Sequence, residues 1–123
     1  MKWRFDNDRP IYLQIVELFK LFIISGDAQP GEKLMSVREL AAEAGVNPNT
    51  MQRALTELER EGLMYTNRTS GRYITESVSV ISGIKNDYAR QKTDDFLSDM
   101  KKIGFDTEET IKLLREYGGN QNG

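Results

Sequence analysis

A chain of 123 residues with 38% hydrophobic and 29% charged side chains has room for one domain of ordinary size, or a small domain with an appendage. It contains no Cys and no His, which excludes disulfides, thiolate or imidazole metal sites and the commonest general base. A net charge of −2 argues against a general nucleic-acid coat, so any contact with an anionic polymer must rest on locally placed cations.

The opening MKWRFDNDRP lacks the apolar stretch and small-residue cleavage site of a secretory signal, and no apolar run nears the ~20 residues of a membrane span. The cytoplasm is the expected location. Residues 2–6 alternate and read as a short strand or an arm, with Trp3 and Phe5 packed against the domain. Pro10 opens a first helix at a position where its missing N–H costs nothing. Along that helix Ile11, Ile15, Leu18 and Phe22 form a stripe at 3–4 spacing, widened by Tyr12, Phe19 and Ile23. Gly26 is a suitable left-handed terminator, and Pro30-Gly31 reads as a turn.

The next helix has a full start signal. Ser36 and Glu39 stand in the S-x-x-E relation of a capping box, with Met35 and Leu40 placed as a hydrophobic staple. Val37, Leu40, Ala41 and Ala44 give a narrow stripe, and Gly45 ends the helix after barely three turns. Asn47-Pro48 then starts another, because Pro48 pushes Asn47 out of the α region, as an N-cap residue requires. At about 100° per residue, Met51, Ala54, Leu55 and Leu58 fall on one inward arc. Asn49, Arg53, Thr56 and Arg60 lie opposite, with Gln52 on the shoulder.

After Gly62, LMYT and RYIT read as two strands joined by NRTSG, a β-hairpin carrying Arg68 and Arg72 around Gly71. From Gly62 to Thr75 there are two Arg and no acid, although the first 75 residues together hold ten basic and ten acidic side chains. The remaining 48 residues read as helical. Ala89, Thr93, Phe96, Met100 and Ile103 form a stripe flanked by Tyr88 and Leu97, with Gly83 a candidate hinge or boundary. A last helix starts near Asp106, with Glu109 as capping-box partner, and its apolar side is Ile111, Leu114 and Tyr117 before Gly118-Gly119. The tail GGNQNG is expected to fray. Two such helices leave apolar surface that must cover the first domain or pair with another copy.

Helix, helix, tight turn, helix and hairpin is the order of a winged helix-turn-helix, in which the third helix meets the DNA major groove and the hairpin its flank. Arg suits guanine, Asn and Gln suit adenine, and Thr suits phosphate or a thymine methyl. The bland alternative is a solvated face with Arg53–Glu57 and Arg60–Glu57 ion pairs. The expected fold class is mainly α with a small β-hairpin, divided into a DNA-binding domain over 1–76 and a two-helix dimerisation tail over 77–123. With no Gly-rich phosphate loop and no paired catalytic constellation, neither enzymatic activity nor a metal or other cofactor is expected.

PIYLQI at 10–15, PGEKLMSVRELA at 30–41, GVNPNTMQRALTELEREGL at 45–63 and TSGRYI at 69–74 together resemble the GntR family of bacterial transcription regulators. FLSDMKKIGFDTEETIKLL at 96–114 resembles the short tail of its YtrA-type branch, and NPNT at 47–50 that branch's recognition-helix start. The resemblance implies a homodimer on an inverted-repeat operator in double-stranded DNA, acting as a repressor of its own operon, which in that branch often encodes an ABC transporter. It assigns DNA contacts to Arg38, Asn47, Asn49, Thr50, Gln52 and Gly71. The helical-face and wing arguments add Arg53, Arg68 and Arg72. Dimerisation is expected through Tyr88, Phe96, Met100, Ile103, Ile111 and Leu114. Three positions depart from the family pattern: Met35 stands where Pro is usual, and Thr69 and Arg72 alter the wing. A winged helix used only for protein assembly is the alternative reading, and no residue pattern marks a small-molecule effector.

Overall fold

A computed structural model describes residues 2–121, and side chains through 118. Its elements are α1 (Ile11–Ser25), α2 (Val37–Ala44), α3 (Pro48–Arg60), β1 (Met64–Asn67), β2 (Gly71–Ile74), α4 (Val78–Lys102) and α5 (Thr107–Gln121). They fall into two compact units, residues 1–85 and 86–123, which part inside α4.

In the first unit each helix boundary has an identifiable local cause. Pro10 is the N-cap of α1 rather than its first helical residue, and Gly26 ends the helix at φ 88°. The capping box of α2 is complete: the Glu39 amide donates to Ser36 Oγ at 3.2 Å, and the Ser36 amide to Glu39 Oε1 at 3.4 Å. Asn47 caps α3 by accepting from the Asn49 amide at 2.7 Å, with Pro48 in the first turn. The positive φ of Gly45 (71°) turns the chain between α2 and α3.

The buried residues of α3 are Met51, Ala54, Leu55 and Leu58, the arc read from periodicity. They pack with Ile15, Phe19, Phe22, Leu40, Leu63 and Ile74 in one hydrophobic cluster, with Val80, Ile81 and Ile84 of α4 partly buried against it. The buried face of α1 is broader than its apolar stripe, because Gln14 and Val16 are buried as well. Gln14 is there to hold the preceding arm. Its Oε1 accepts from the Asp6 amide at 2.8 Å, and its Nε2 donates to the carbonyls of Asp6 and Arg9, each at 2.9 Å. The arm is not a strand. It is an irregular segment that lays Trp3 edge-on against Phe19 and Phe22, with ring centroids 5.6 and 5.8 Å away.

β1 and β2 pair antiparallel with Met64 opposite Ile74 and Thr66 opposite Arg72. The hairpin gains a third stretch that its own sequence does not announce. The Leu34 amide donates to the Arg72 carbonyl and the Ile74 amide to Glu32, both at 2.9 Å, and Lys33 bridges Tyr73. The chain after Pro30-Gly31 is therefore more than a turn: it borders β2.

In the second unit the Asp106–Glu109 box forms as expected, with bonds of 2.8 and 3.1 Å. Thr110 is fully buried, its hydroxyl donating to the Asp106 carbonyl. α4 continues unbroken through Gly83, and α5 runs through Gly118 to Gln121. The expected stop before Gly118 is absent, since a helical glycine costs only about 1 kcal/mol, which flanking helix formers can carry. Of the tail expected to fray, residues 122 and 123 lie outside the described residues. Among the described residues no helix is long and apolar enough to cross a membrane.

Candidate nucleic-acid interface

The second helix of the pair turns a polar face outward because its apolar positions are fixed by the core. Asn49, Gln52, Arg53, Thr56 and Arg60 are exposed, while Thr50 is half-buried. Along this face the side chains differ in what already occupies them. Gln52 Nε2 donates to Thr56 Oγ1 at 3.0 Å, one turn on. Asn47 has its carbonyl oxygen engaged by the cap. Arg60 is committed to Glu57, with Nε 3.0 Å from Oε2 and a second, shorter bond from Nη2. That bond is the main reason the Glu57 carboxyl is held below the usual carboxylate range.

Arg53 does not make the Glu57 pair that its i,i+4 spacing allows. Its guanidinium carbon lies 3.7 Å from the centroid of the Tyr12 ring on α1. Among the described residues no carboxylate pairs with Arg53, Arg38 or Arg68. Arg38 is exposed in the first turn of α2, and Arg68 is exposed at the hairpin tip.

The tip itself is closed locally. Asn67 Oδ1 accepts from the Thr69 amide at 3.0 Å and from its hydroxyl at 2.8 Å, an Asx-type turn. Gly71 follows at φ 119°, a conformation L side chains rarely adopt. Tyr65 and Tyr73 stack across the strands at 5.5 Å, and the Tyr73 hydroxyl donates to Ser70 Oγ. On the opposite face of the hairpin, Arg72 and Thr66 both meet Glu59 of α3; the Arg72 Nε–Glu59 Oε1 separation is 3.5 Å.

One cleft, about 480 Å³ in volume, lies between the start of α2, α3 and the hairpin, and Gln52, Gly71 and Arg72 line it beside Ser36 and Lys33. Arg38, Asn47, Asn49, Thr50, Arg53 and Arg68 stand outside it. Sequence reasoning missed Lys33, Tyr12 and Glu59. Only Lys33 carried a signal, as a cation two residues past a Pro-Gly turn; Tyr12 read as part of an apolar stripe and Glu59 as a solvated charge.

In the second unit Phe96, Ile103 and Leu114 are 40%, 67% and 50% exposed, while Tyr88, Met100 and Ile111 are half-buried.

The family model described as bacterial regulatory proteins, gntR family, matches residues 11–74. The uncharacterized regulator YhcF of Bacillus subtilis is 35% identical over 93% of this chain and 94% of its own length. The transcriptional repressor YtrA of the same organism is 35% identical over 95% of this chain and 91% of its own. A GntR family transcriptional regulator from Listeria monocytogenes superposes with a TM-score of 0.84 at 44% identity, covering 91% of this chain and 98% of that one.

Proposed function

The chain belongs to the gntR family of bacterial regulatory proteins, and from that premise we propose that it works in the cytoplasm as a homodimer that represses its own operon. It is a sequence-specific DNA-binding transcription regulator of winged helix-turn-helix fold. In the proposed complex the two copies occupy the halves of an inverted-repeat operator, separated by one helical turn of DNA or a multiple of it. The operon assigned here encodes an ABC transporter, as the resemblance of the tail implies.

The observation that carries the reading is the outer face of α3. It presents Asn49, Gln52 and an Arg53 with no carboxylate partner among the described residues, the side-chain types that recognise base edges. Arg38, Asn47, Thr50, Arg68, Gly71 and Arg72 complete the assigned contact set, the first group positioning α3 and the wing residues serving the flank. Dimerisation is assigned to Tyr88, Phe96, Met100, Ile103, Ile111 and Leu114. The exposed apolar surface at Phe96, Ile103 and Leu114 supports it, since a second copy would remove that surface from water.

The test is binding of the full chain to duplex carrying its own promoter, with the salt series run in parallel. A steep fall of log affinity with log salt is expected. Absence of binding at low salt by folded protein overturns the reading. Deleting the gene should raise transcription of the operon. Ile103→Asp should shift the sedimenting species from dimer to monomer, and a persisting dimer would assign the interface elsewhere.

A further inference from the structure

We propose that Tyr12, in the first turn of α1 and outside the helix pair that reads DNA, is a positioning residue for sequence readout, holding the Arg53 guanidinium in place for its base contact. This rests on the reading of Arg53 as a DNA contact made above.

Three observations converge on the pair. First, the local competitor is removed. Glu57 lies four residues from Arg53 and would draw it along the helix, but both Glu57 oxygens are held by Arg60. Second, the 3.7 Å from Cζ to the Tyr12 centroid is a stacking distance, which occupies the π face of the guanidinium. The N–H donors lie in the guanidinium plane, so stacking leaves available the fork that a guanine edge or a phosphate accepts. Third, the platform is itself fixed. Ile15 and Val16 are buried one turn on, and the buried Gln14 ties the start of α1 to the arm through three hydrogen bonds.

The neighbouring arginines mark the contrast. Arg60 and Arg72 are each paired with a glutamate of α3, so their charges are partly spent within the protein. Arg53 is held by a neutral ring that restrains its geometry without cancelling its charge. An arginine already restrained loses less rotamer freedom on binding, and it presents its donors in one orientation rather than many. The gain is therefore expected in discrimination between sequences more than in general affinity for DNA.

The experiment is fluorescence anisotropy of the full chain on its operator duplex and on an unrelated duplex of equal length, with thermal melting of each variant. Arg53→Ala should weaken operator binding by about tenfold or more. Tyr12→Phe keeps the ring and should bind as the wild type does. Tyr12→Leu keeps apolar bulk without a π face, and should weaken operator binding roughly three- to tenfold with little change on the unrelated duplex. Introduced into Arg53→Ala, Tyr12→Leu should cause no further loss. An equal loss in both backgrounds, or an equal loss on both duplexes, would make Tyr12 merely structural and overturn the proposal. So would Tyr12→Leu binding like wild type while Arg53→Ala is impaired. An unimpaired Arg53→Ala would sink the contact reading and the positioning role together, whereas failure of the wild type to bind either duplex would remove the DNA function itself.

Discussion

Glu59, in the last turn of α3, and Arg72, in the second strand of the wing, face each other with Oε1 3.5 Å from Nε. Both side chains are largely buried, and Thr66 of the first wing strand donates to the same carboxylate oxygen. One carboxylate thus joins the reading helix to both strands of the wing. The Arg72 Nε has no hydrogen-bond partner, so Glu59 supplies its charge compensation without a well-formed bond.

Glu59→Ala is expected to destabilise the fold by on the order of 1–3 kcal/mol, because it leaves the buried Arg72 Nε without a counter-charge. Arg72→Met in the same background should recover part of that loss. A denaturant-unfolding cycle over the four proteins measures the coupling, and a coupling near zero would show that the pair is incidental.

Gln14→Leu should cost about 2–3 kcal/mol, from three hydrogen bonds at roughly 1 kcal/mol each. Trp3 is the chain's one tryptophan, so its fluorescence reports directly on the arm. The variant should show solvent-exposed tryptophan emission at denaturant concentrations below its main unfolding transition. A single coincident transition would mean that the arm stays docked through its aromatic contacts alone.

Ser36→Ala and Asn47→Ala each remove an N-cap oxygen and should each cost about 1 kcal/mol in unfolding free energy. In Ser36→Ala only the bond from the Glu39 amide is lost, because the backbone amide of residue 36 still donates to the Glu39 carboxylate. Urea unfolding of both variants checks the pair, and two unshifted midpoints would show that neither cap matters.

Arg38→Ala should leave the midpoint of thermal unfolding essentially unchanged, because the side chain is exposed and makes no ion pair among the described residues. Its binding to operator and to unrelated duplex should weaken alike, with the salt slope reduced by about one, the signature of a phosphate contact. A loss confined to the operator would make it a base contact instead.

Arg60 lowers the Glu57 pKa in the folded chain, so the pair contributes stability above the ordinary carboxylate range. That contribution is lost as pH falls through the lowered value. Glu57→Gln should therefore remove a small part of the acid-side decline in melting temperature, small because both groups meet solvent. Parallel curves for the variant and the parent would show that solvent screening cancels the pair.

Much of the first unit was legible because local rules and burial agree there. The capping box at Ser36, the cap at Asn47 and the arc from Met51 to Leu58 each follow from spacing alone, and each has its expected structure. What escaped depends on partners distant in sequence. Gln14 in an apolar stripe carries no sign that three backbone groups of the arm will satisfy it. Nothing around Lys33 tells that β2, about forty residues later, supplies the other half of a ladder. Arg53 shows the same limit on the interface: helical spacing offered Glu57, and a ring from α1 took the side chain instead.

That extra border on β2 sets the thermodynamic character of the wing. A two-stranded hairpin alone is marginal in water and would have to become ordered on its ligand. Here β2 is hydrogen-bonded along both edges, to β1 and to residues 31–34, so its conformational freedom is lost when the chain folds. Association with a duplex then involves docking of a preformed surface. Its heat-capacity change should track only the apolar area covered, with no contribution from a coil-to-strand transition.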